Sequence, residues 1–228
     1  DEVIDLMGKK IAELEKALRA HKVRELPRMS GRLEEKLLKG IALWKGERER
    51  MGLGRALPLA RAILDRLRRH PGVKDAAYAG SLRRMRETVG DLDFLVTPRL
   101  PADAPSIMKV FAEHDEVAEV VARGETKCSV RLKSGVEADL RVVPPESFGA
   151  ALCYFTGSKS FNIQIRERGV RKGLKINEYG VFKGAKRAGG TTEEEVFKAV
   201  GLPFIPPELR EGSGEVETAA AGTLPRLI

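Results

Sequence analysis

From Asp91 to Val96 the chain reads Asp-Leu-Asp-Phe-Leu-Val, and this short run constrains the fold more than any other. Leu92, Phe94 and Val96 alternate with Asp91, Asp93 and Leu95, so a strand here turns an apolar set to one face and both aspartates to the other. Two carboxylates then share one small patch. Like charges that close resist ionising together unless a cation neutralises them, and hard oxygen ligands select magnesium-like ions. A metal is expected on that face.

Two flanking segments add to the patch. Upstream, the short apolar run Ala76 to Ala79 leads into Gly80-Ser81, a turn with backbone N–H groups and a hydroxyl to offer, and Arg83, Arg84 and Arg86 follow at once. Such a turn with arginines suits a phosphate group. Downstream, Ser129 to Lys133 and Val136 to Val143 alternate around a Ser134-Gly135 turn, which sets Glu137, Asp139 and Arg141 on one face and Ala138, Leu140 and Val142 on the other. If that hairpin pairs with the Asp91 strand, Asp139 joins the two aspartates.

Gly80-Ser81, Asp91-x-Asp93 and a distant lone Asp139 together resemble the nucleotidyltransferase superfamily. The block Tyr154-Phe155-Thr156-Gly157-Ser158-Lys159-Ser160-Phe161-Asn162, running on to Ile176-Asn177-Glu178-Tyr179, narrows the resemblance to the DNA polymerase X family, the gap-filling repair polymerases. It covers residues 25 to 212.

The resemblance implies an α+β fold: a nucleotidyltransferase-type palm with a mixed β-sheet and flanking helices, an N-terminal helical lobe and a small C-terminal α+β lobe. It also implies template-directed DNA synthesis at short gaps, by two-metal-ion transfer of a nucleotidyl group from a dNTP to a primer 3′-OH. Asp91 and Asp93 would bridge two magnesium ions, with manganese as an alternative, and Asp139 would complete the site beside the primer hydroxyl. Ser81, Arg84 and Gly90 would hold the β- and γ-phosphates. Tyr154, Phe155 and Gly157 would line the sugar, Lys159 would lie by the incoming base, and Asn162 would touch its edge. Arg166 would meet the template, with Arg141, Tyr179 and Lys172 also on the DNA side and the first two supporting an open-to-closed switch. Arg83 and Arg86 are left as solvated or DNA-phosphate residues. The implied partners are gapped or primer-template DNA and a dNTP, acted on by a monomer. Lyase and nuclease activities, which family members often carry on further domains, are not expected of this chain.

Charge agrees with a polyanionic partner: 41 Lys plus Arg against 33 Asp plus Glu, a net of +8. Nine basic residues between Lys159 and Arg187 face only Glu167 and Glu178, so nucleic acid is expected along that lobe. Cys128 and Cys153 stand alone and the three histidines lie far apart, which indicates neither a zinc site nor a disulfide framework. One disulfide between the two cysteines is compatible with the count, but a reduced cytoplasmic protein is the simpler reading. No signal peptide, lipidation motif or transmembrane run is present, so a soluble protein with no membrane partner is expected. Only Asn162, Gln164 and Asn177 carry amide side chains, a depletion that fits a thermophile or a biased genome.

Along the chain, Ile4, Met7, Ile11, Leu14 and Leu18 form one helical stripe, and Leu33, Leu37, Leu38 and Ile41 a second. The break between them, Leu26-Pro27-Arg28-Met29-Ser30-Gly31, resembles a helix-hairpin-helix turn that grips a DNA phosphate, but Arg28 and Met29 stand where glycine is usual, and a plain helical corner is the alternative reading. Met51 to Gly54 reads as a hinge, Pro58 to His70 as a helix, Thr97 to Pro105 as a loop and Ile107 to Phe111 as a further helix. Pro144-Pro145 closes the catalytic lobe. Thr156-Gly157-Ser158 caps a helix that Gly173 stops, Leu174 to Phe182 reads as short strands, and Thr192-x-x-Glu195 reads as a capping box. The expected divisions are a helical DNA-binding lobe (1–52), the palm (53–146), a nucleotide- and template-binding lobe (147–212) and a linker-like tail (213–228). Two rival readings use the same residues: a nucleotidyltransferase acting on RNA ends or a small-molecule hydroxyl, and a catalytically silent DNA-binding module.

Overall fold

Ala56, Ala60, Ile63, Leu64 and Leu67 recur every three or four residues, and this stripe makes Leu53–Arg69 an amphipathic helix buried along one side. The computed structural model describes residues 2–26, 30–48 and 50–225, and divides the chain into two compact units, residues 1–50 and 51–228. Among the described residues, no helix is long and apolar enough to cross a membrane.

The first unit pairs helix α1 (Glu2–Arg19) with helix α2 (Gly31–Arg48) around Leu18, Val23 and Ile41. Leu14, expected on the buried stripe, is 39% exposed. Glu34 is buried between the helices and takes Arg24 Nη2 at 2.6 Å and His21 Nδ1 at 2.7 Å. The hydrogen bonds from Arg24 and His21 hold its carboxyl below the usual range. The proposed phosphate-gripping residues Pro27, Arg28 and Met29 lie outside the described residues.

The second unit begins with β1 (Met51–Gly52), which pairs with β3 (Thr88–Val89), and the helix of the opening stripe, α3 (Leu53–Arg69), follows immediately. The expected hinge is therefore a short strand, with Met51 buried and Gly52 exposed, followed by the first helical turn, and the helix starts five residues before Pro58. Five strands form the main sheet in the order β2-β4-β7-β6-β5, namely β2 (Val73–Tyr78), β4 (Asp91–Pro98), β5 (Val117–Arg123), β6 (Lys127–Leu132) and β7 (Glu137–Val142). All neighbours are antiparallel except β4 and β7, which run parallel. One face of this sheet, with Leu92, Phe94, Val96, Ala138 and Leu140, packs on α3 and on α5 (Ala104–Ala112), where Phe94 meets Phe111 edge-on at 5.8 Å. The opposite face carries the carboxylates.

A second core gathers α6 (Phe148–Thr156), α7 (Lys159–Arg171), α8 (Glu193–Ala199) and a small sheet of β8 (Lys175–Asn177), β9 (Gly180–Lys183) and β10 (Lys186–Gly189). Phe161, Ile165, Val181, Val196 and Phe197 fill it. Ser158 caps α7 by accepting from Phe161 N at 3.2 Å, and Gly173 stops it with a φ of +70°. Thr192 caps α8, while Glu195 reaches past it to the amides of Gly190 and Thr191, both at 2.9 Å. The tail is not a linker: α9 (Glu215–Ala220) buries Val216 and Ala219 in this core. Gly212 and Gly214 supply the left-handed backbone the turn needs, and the Glu215 carboxylate accepts from Gly212 N and Ser213 N at 2.6 and 2.7 Å.

Candidate active site

The parallel pairing of β4 with β7 sets Asp91 beside Glu137 and Asp93 beside Asp139. Partners in register share a face, so Asp91, Asp93 and Asp139 stand together on the side away from the α3 core. Burial and then the charges of Asp91 and Asp139 push the Asp93 carboxyl up to about 7, against the pull of Arg141 and Lys127. Asp91 and Asp139 thus lie close enough to oppose the ionisation of Asp93.

Asp139 is held from β6. Ser129, its register partner, donates Oγ to Oδ1 at 2.5 Å, and Lys127 Nζ lies 2.7 Å from Oδ2. Neither was given a site role from the sequence, although counting back by two from Ser129, where the predicted hairpin strand begins, reaches Lys127 on the same face. Among the described residues no group of three or more acidic, His or Cys side chains is arranged to hold a metal ion outright. Lys127 and Ser129 engage the Asp139 oxygens. The chemistry of the face still fits a divalent cation, because the carboxylates are hard oxygen donors and positive charge brought to them favours the ionised form of Asp93.

Gly80 opens a single helical turn, α4 (Gly80–Arg83), with a φ of +61°. A Cβ there would overlap Asp93 Oδ2, so only glycine lets the carboxylate seat against this turn. Ser81 and Gly90 are half-buried nearby. Arg84 donates Nε to Glu211 Oε1 at 2.8 Å and Nη1 to the Thr156 carbonyl at 2.5 Å. Arg83 is neither solvated nor free for DNA: it donates to Thr156 Oγ1 at 2.8 Å and grips Glu193. Arg86 is exposed, 3.8 Å from Glu211.

The aromatic block sits at the end of α6. Tyr154 and Phe155 meet edge-on at 5.1 Å, and the Arg141 guanidinium lies 4.4 Å over the Phe155 ring, so Arg141 belongs to this cluster rather than to an open surface. Gly157, with a φ of +70°, stands against Arg84 Nη1, and the Gly157–Ser158 peptide bond is cis. Asn162 donates Nδ2 to the Tyr154 carbonyl at 2.6 Å, and Arg166 donates Nε to the Asn162 carbonyl at 3.3 Å. Gln164 donates to the Gly212 carbonyl at 3.2 Å and Asn177 accepts from Tyr179 N at 3.0 Å, so each of the three amide side chains bonds the backbone. Lys159, Arg166, Lys172 and Tyr179 are all exposed.

Sequence reading also passed over Glu193, Arg210 and Glu211. Arg210 is wholly buried: it donates Nη1 to Glu193 Oε1 at 2.6 Å and Nε to the Ile205 carbonyl at 2.8 Å, with Phe161, Phe197 and Phe204 around its guanidinium. No local pattern marks an arginine that will end up inside a core.

A mixed sheet bearing these carboxylates beside a Gly-Ser turn, with a smaller α+β lobe after it, defines a nucleotidyltransferase-type fold. The same fold appears in polymerase beta of Leishmania infantum, crystallised as a ternary P/T complex (TM-score 0.64, 20% identity, 87% of this chain and 88% of that one) and as a ternary gap complex (TM-score 0.64, 18% identity, 87% and 80%). Residues 151–211 match the family of the DNA polymerase beta thumb. Over 229 residues the chain is 38% identical to the DNA polymerase/3′-5′ exonuclease PolX of Bacillus subtilis, covering 93% of this chain and 40% of that protein. It is 30% identical over 142 residues to the repair DNA polymerase X of African swine fever virus, covering 60% of this chain and 82% of the viral protein. Rat DNA polymerase lambda is 31% identical over 172 residues, 62% of this chain and 29% of the rat protein. The chain belongs to the DNA polymerase X family. It spans 40% of the length of the Bacillus relative and 29% of the rat one.

Proposed function

We propose that this chain is a template-directed DNA polymerase that fills short gaps, joining a deoxynucleotide to a primer 3′-OH. One observation carries the reading: Asp91, Asp93 and Asp139 share a sheet face beside Gly80, at the foot of an arginine-rich turn. Family X DNA polymerases are metal-dependent, and magnesium, with manganese as the alternative, is the ion proposed for these oxygens. When bound, such ions supply a lowered pKa at the attacking hydroxyl and charge stabilisation on the triphosphate.

The residues of the chain do the positioning. Asp139, steadied by Ser129, faces the primer end, and Asp91 with Asp93 takes the nucleotide side. Ser81, Arg84 and Gly90 receive the β- and γ-phosphates, Tyr154, Phe155 and Gly157 line the sugar, and Lys159 and Asn162 reach the base. Exposed Arg166, Lys172 and Tyr179 meet DNA, and binding there weakens as salt rises.

Primer extension on a one-nucleotide gap tests this, with each dNTP supplied separately and a chelator as control. Incorporation of the complementary nucleotide alone, abolished by chelation, is expected. Addition without regard to the template would overturn the reading in favour of an end-modifying nucleotidyltransferase.

A further inference from the structure

Arg84, assigned above to the triphosphate, is engaged by a carboxylate from the far end of the unit. Its Nε donates to Glu211 Oε1 at 2.8 Å, with the Glu211 side chain 28% exposed and that of Arg84 13%. Arg86 Nη1 stands 3.8 Å from the same oxygen, so one carboxylate serves both arginines. The backbone around Glu211 is fixed: the Arg210 carbonyl accepts from Ser158 N at 2.8 Å, and the Glu211 carbonyl accepts from Ser160 Oγ at 3.4 Å. The Glu211 side chain itself is partly open to solvent. Arg83, one residue earlier, differs, because its partner Glu193 is 6% exposed and is shared with a wholly buried arginine.

We infer that Glu211 competes with the nucleotide's triphosphate for Arg84, so that nucleotide binds by exchanging one anion for another. This deepens the polymerase reading and rests on it. A carboxylate and a phosphate oxygen make the same charge-assisted hydrogen bond to a guanidinium, and a planar fork that has given Nε to one has less to give the other. The Thr156 carbonyl, on Nη1, keeps Arg84 beside Gly157 throughout, so the exchange needs movement of Glu211 and not of the arginine. Affinity for triphosphate is then reduced by the fraction of molecules in which Glu211 holds Nε.

The test is calorimetric titration of the chain, without DNA, by magnesium dGTP and separately by sodium tripolyphosphate. Glu211→Gln is expected to tighten both by roughly fivefold or more. Glu211→Asp, which keeps the charge but shortens its reach, is expected to tighten them too, and it remains informative should the glutamine variant fold poorly. Arg84→Gln should weaken both, and Glu211→Gln added to Arg84→Gln should gain nothing further. Unchanged affinity in both Glu211 variants overturns the competition while leaving the polymerase reading standing. An equal gain with and without Arg84 also overturns it, since Glu211 would then repel phosphate through space. Failure of the unaltered chain to bind either probe overturns both readings together.

Discussion

Arg83 donates Nη1 to Glu193 Oε1 at 3.0 Å and Nη2 to Oε2 at 2.5 Å, across a separation of 110 residues. The pair joins α4, at the edge of the first core, to the first turn of α8 in the second. Burial alone would raise the Glu193 carboxyl, but the hydrogen bond from Arg83 and the charge of Arg210 bring it below its ordinary value. Its folded form therefore stays ionised at neutral pH, and the stability it contributes is lost as the pH falls through that lowered value. Glu193→Gln leaves two arginines facing a neutral amide, one of them wholly buried. Urea unfolding should show a loss of about 3 kcal/mol or more, and a loss under about 1 kcal/mol would reject the bridge as a stabilising contact.

Asp139→Asn should fold normally, because the ion pair it loses to Lys127 is partly exposed and is worth at most about 1 kcal/mol. Primer extension should nevertheless fall by orders of magnitude. Retained extension in a folded variant would end the three-carboxylate assignment.

With Asp93 pushed up to about 7, the metal-free fold keeps a proton where the unfolded chain has already released it. The unfolded state binds fewer protons, so stability should fall as the pH rises from about 4 to about 7. Asp93→Asn should remove that slope. Melting temperatures in chelator across this range check it, and the same slope in the variant would clear Asp93 of responsibility.

Gly80→Ala should damage activity more than stability. The left-handed backbone costs about 1–2 kcal/mol for a residue with a Cβ, whereas the added methyl overlaps the Asp93 carboxylate itself. Extension should drop at least about tenfold, a barrier change of about 1.4 kcal/mol. Normal turnover would show that Asp93 need not seat against this turn.

Tyr154→Ala should raise ribonucleotide incorporation relative to deoxynucleotide, since the side chain is assigned to the wall of the sugar pocket. Asn162 bonds the backbone carbonyl of Tyr154, not its ring, so the helix end should survive the change. An unchanged ratio of the two incorporations would remove Tyr154 from that wall.

What the sequence revealed was whatever depends on local periodicity. Alternation at Leu92, Phe94 and Val96, the hairpin at Ser134-Gly135 and the Ser158 cap each need only neighbouring residues to be recognised. Strand β5 escaped because Val117–Arg123 lies at a sheet edge and is exposed along most of its length, so no buried face imposes a pattern. The early start of α3 was hidden by Gly52, Gly54 and Pro58, which read as breakers although Pro58 is accommodated inside the helix. Helix α6 was masked by Pro144-Pro145 and by aromatics already given a functional reading. Charged partnerships such as Arg84 with Glu211, 127 residues apart, leave no trace in local spacing.

The parallel contact of β4 with β7 has a further consequence for how the chain acquires its chemistry. Antiparallel neighbours can zip from a turn, but a parallel pair must wait until all the intervening segments have been laid down. Asp91 and Asp93 therefore gain their third companion only by a long-range closing step, once β7 has been laid down. Completion of the sheet is therefore the event that brings the three carboxylates onto one face.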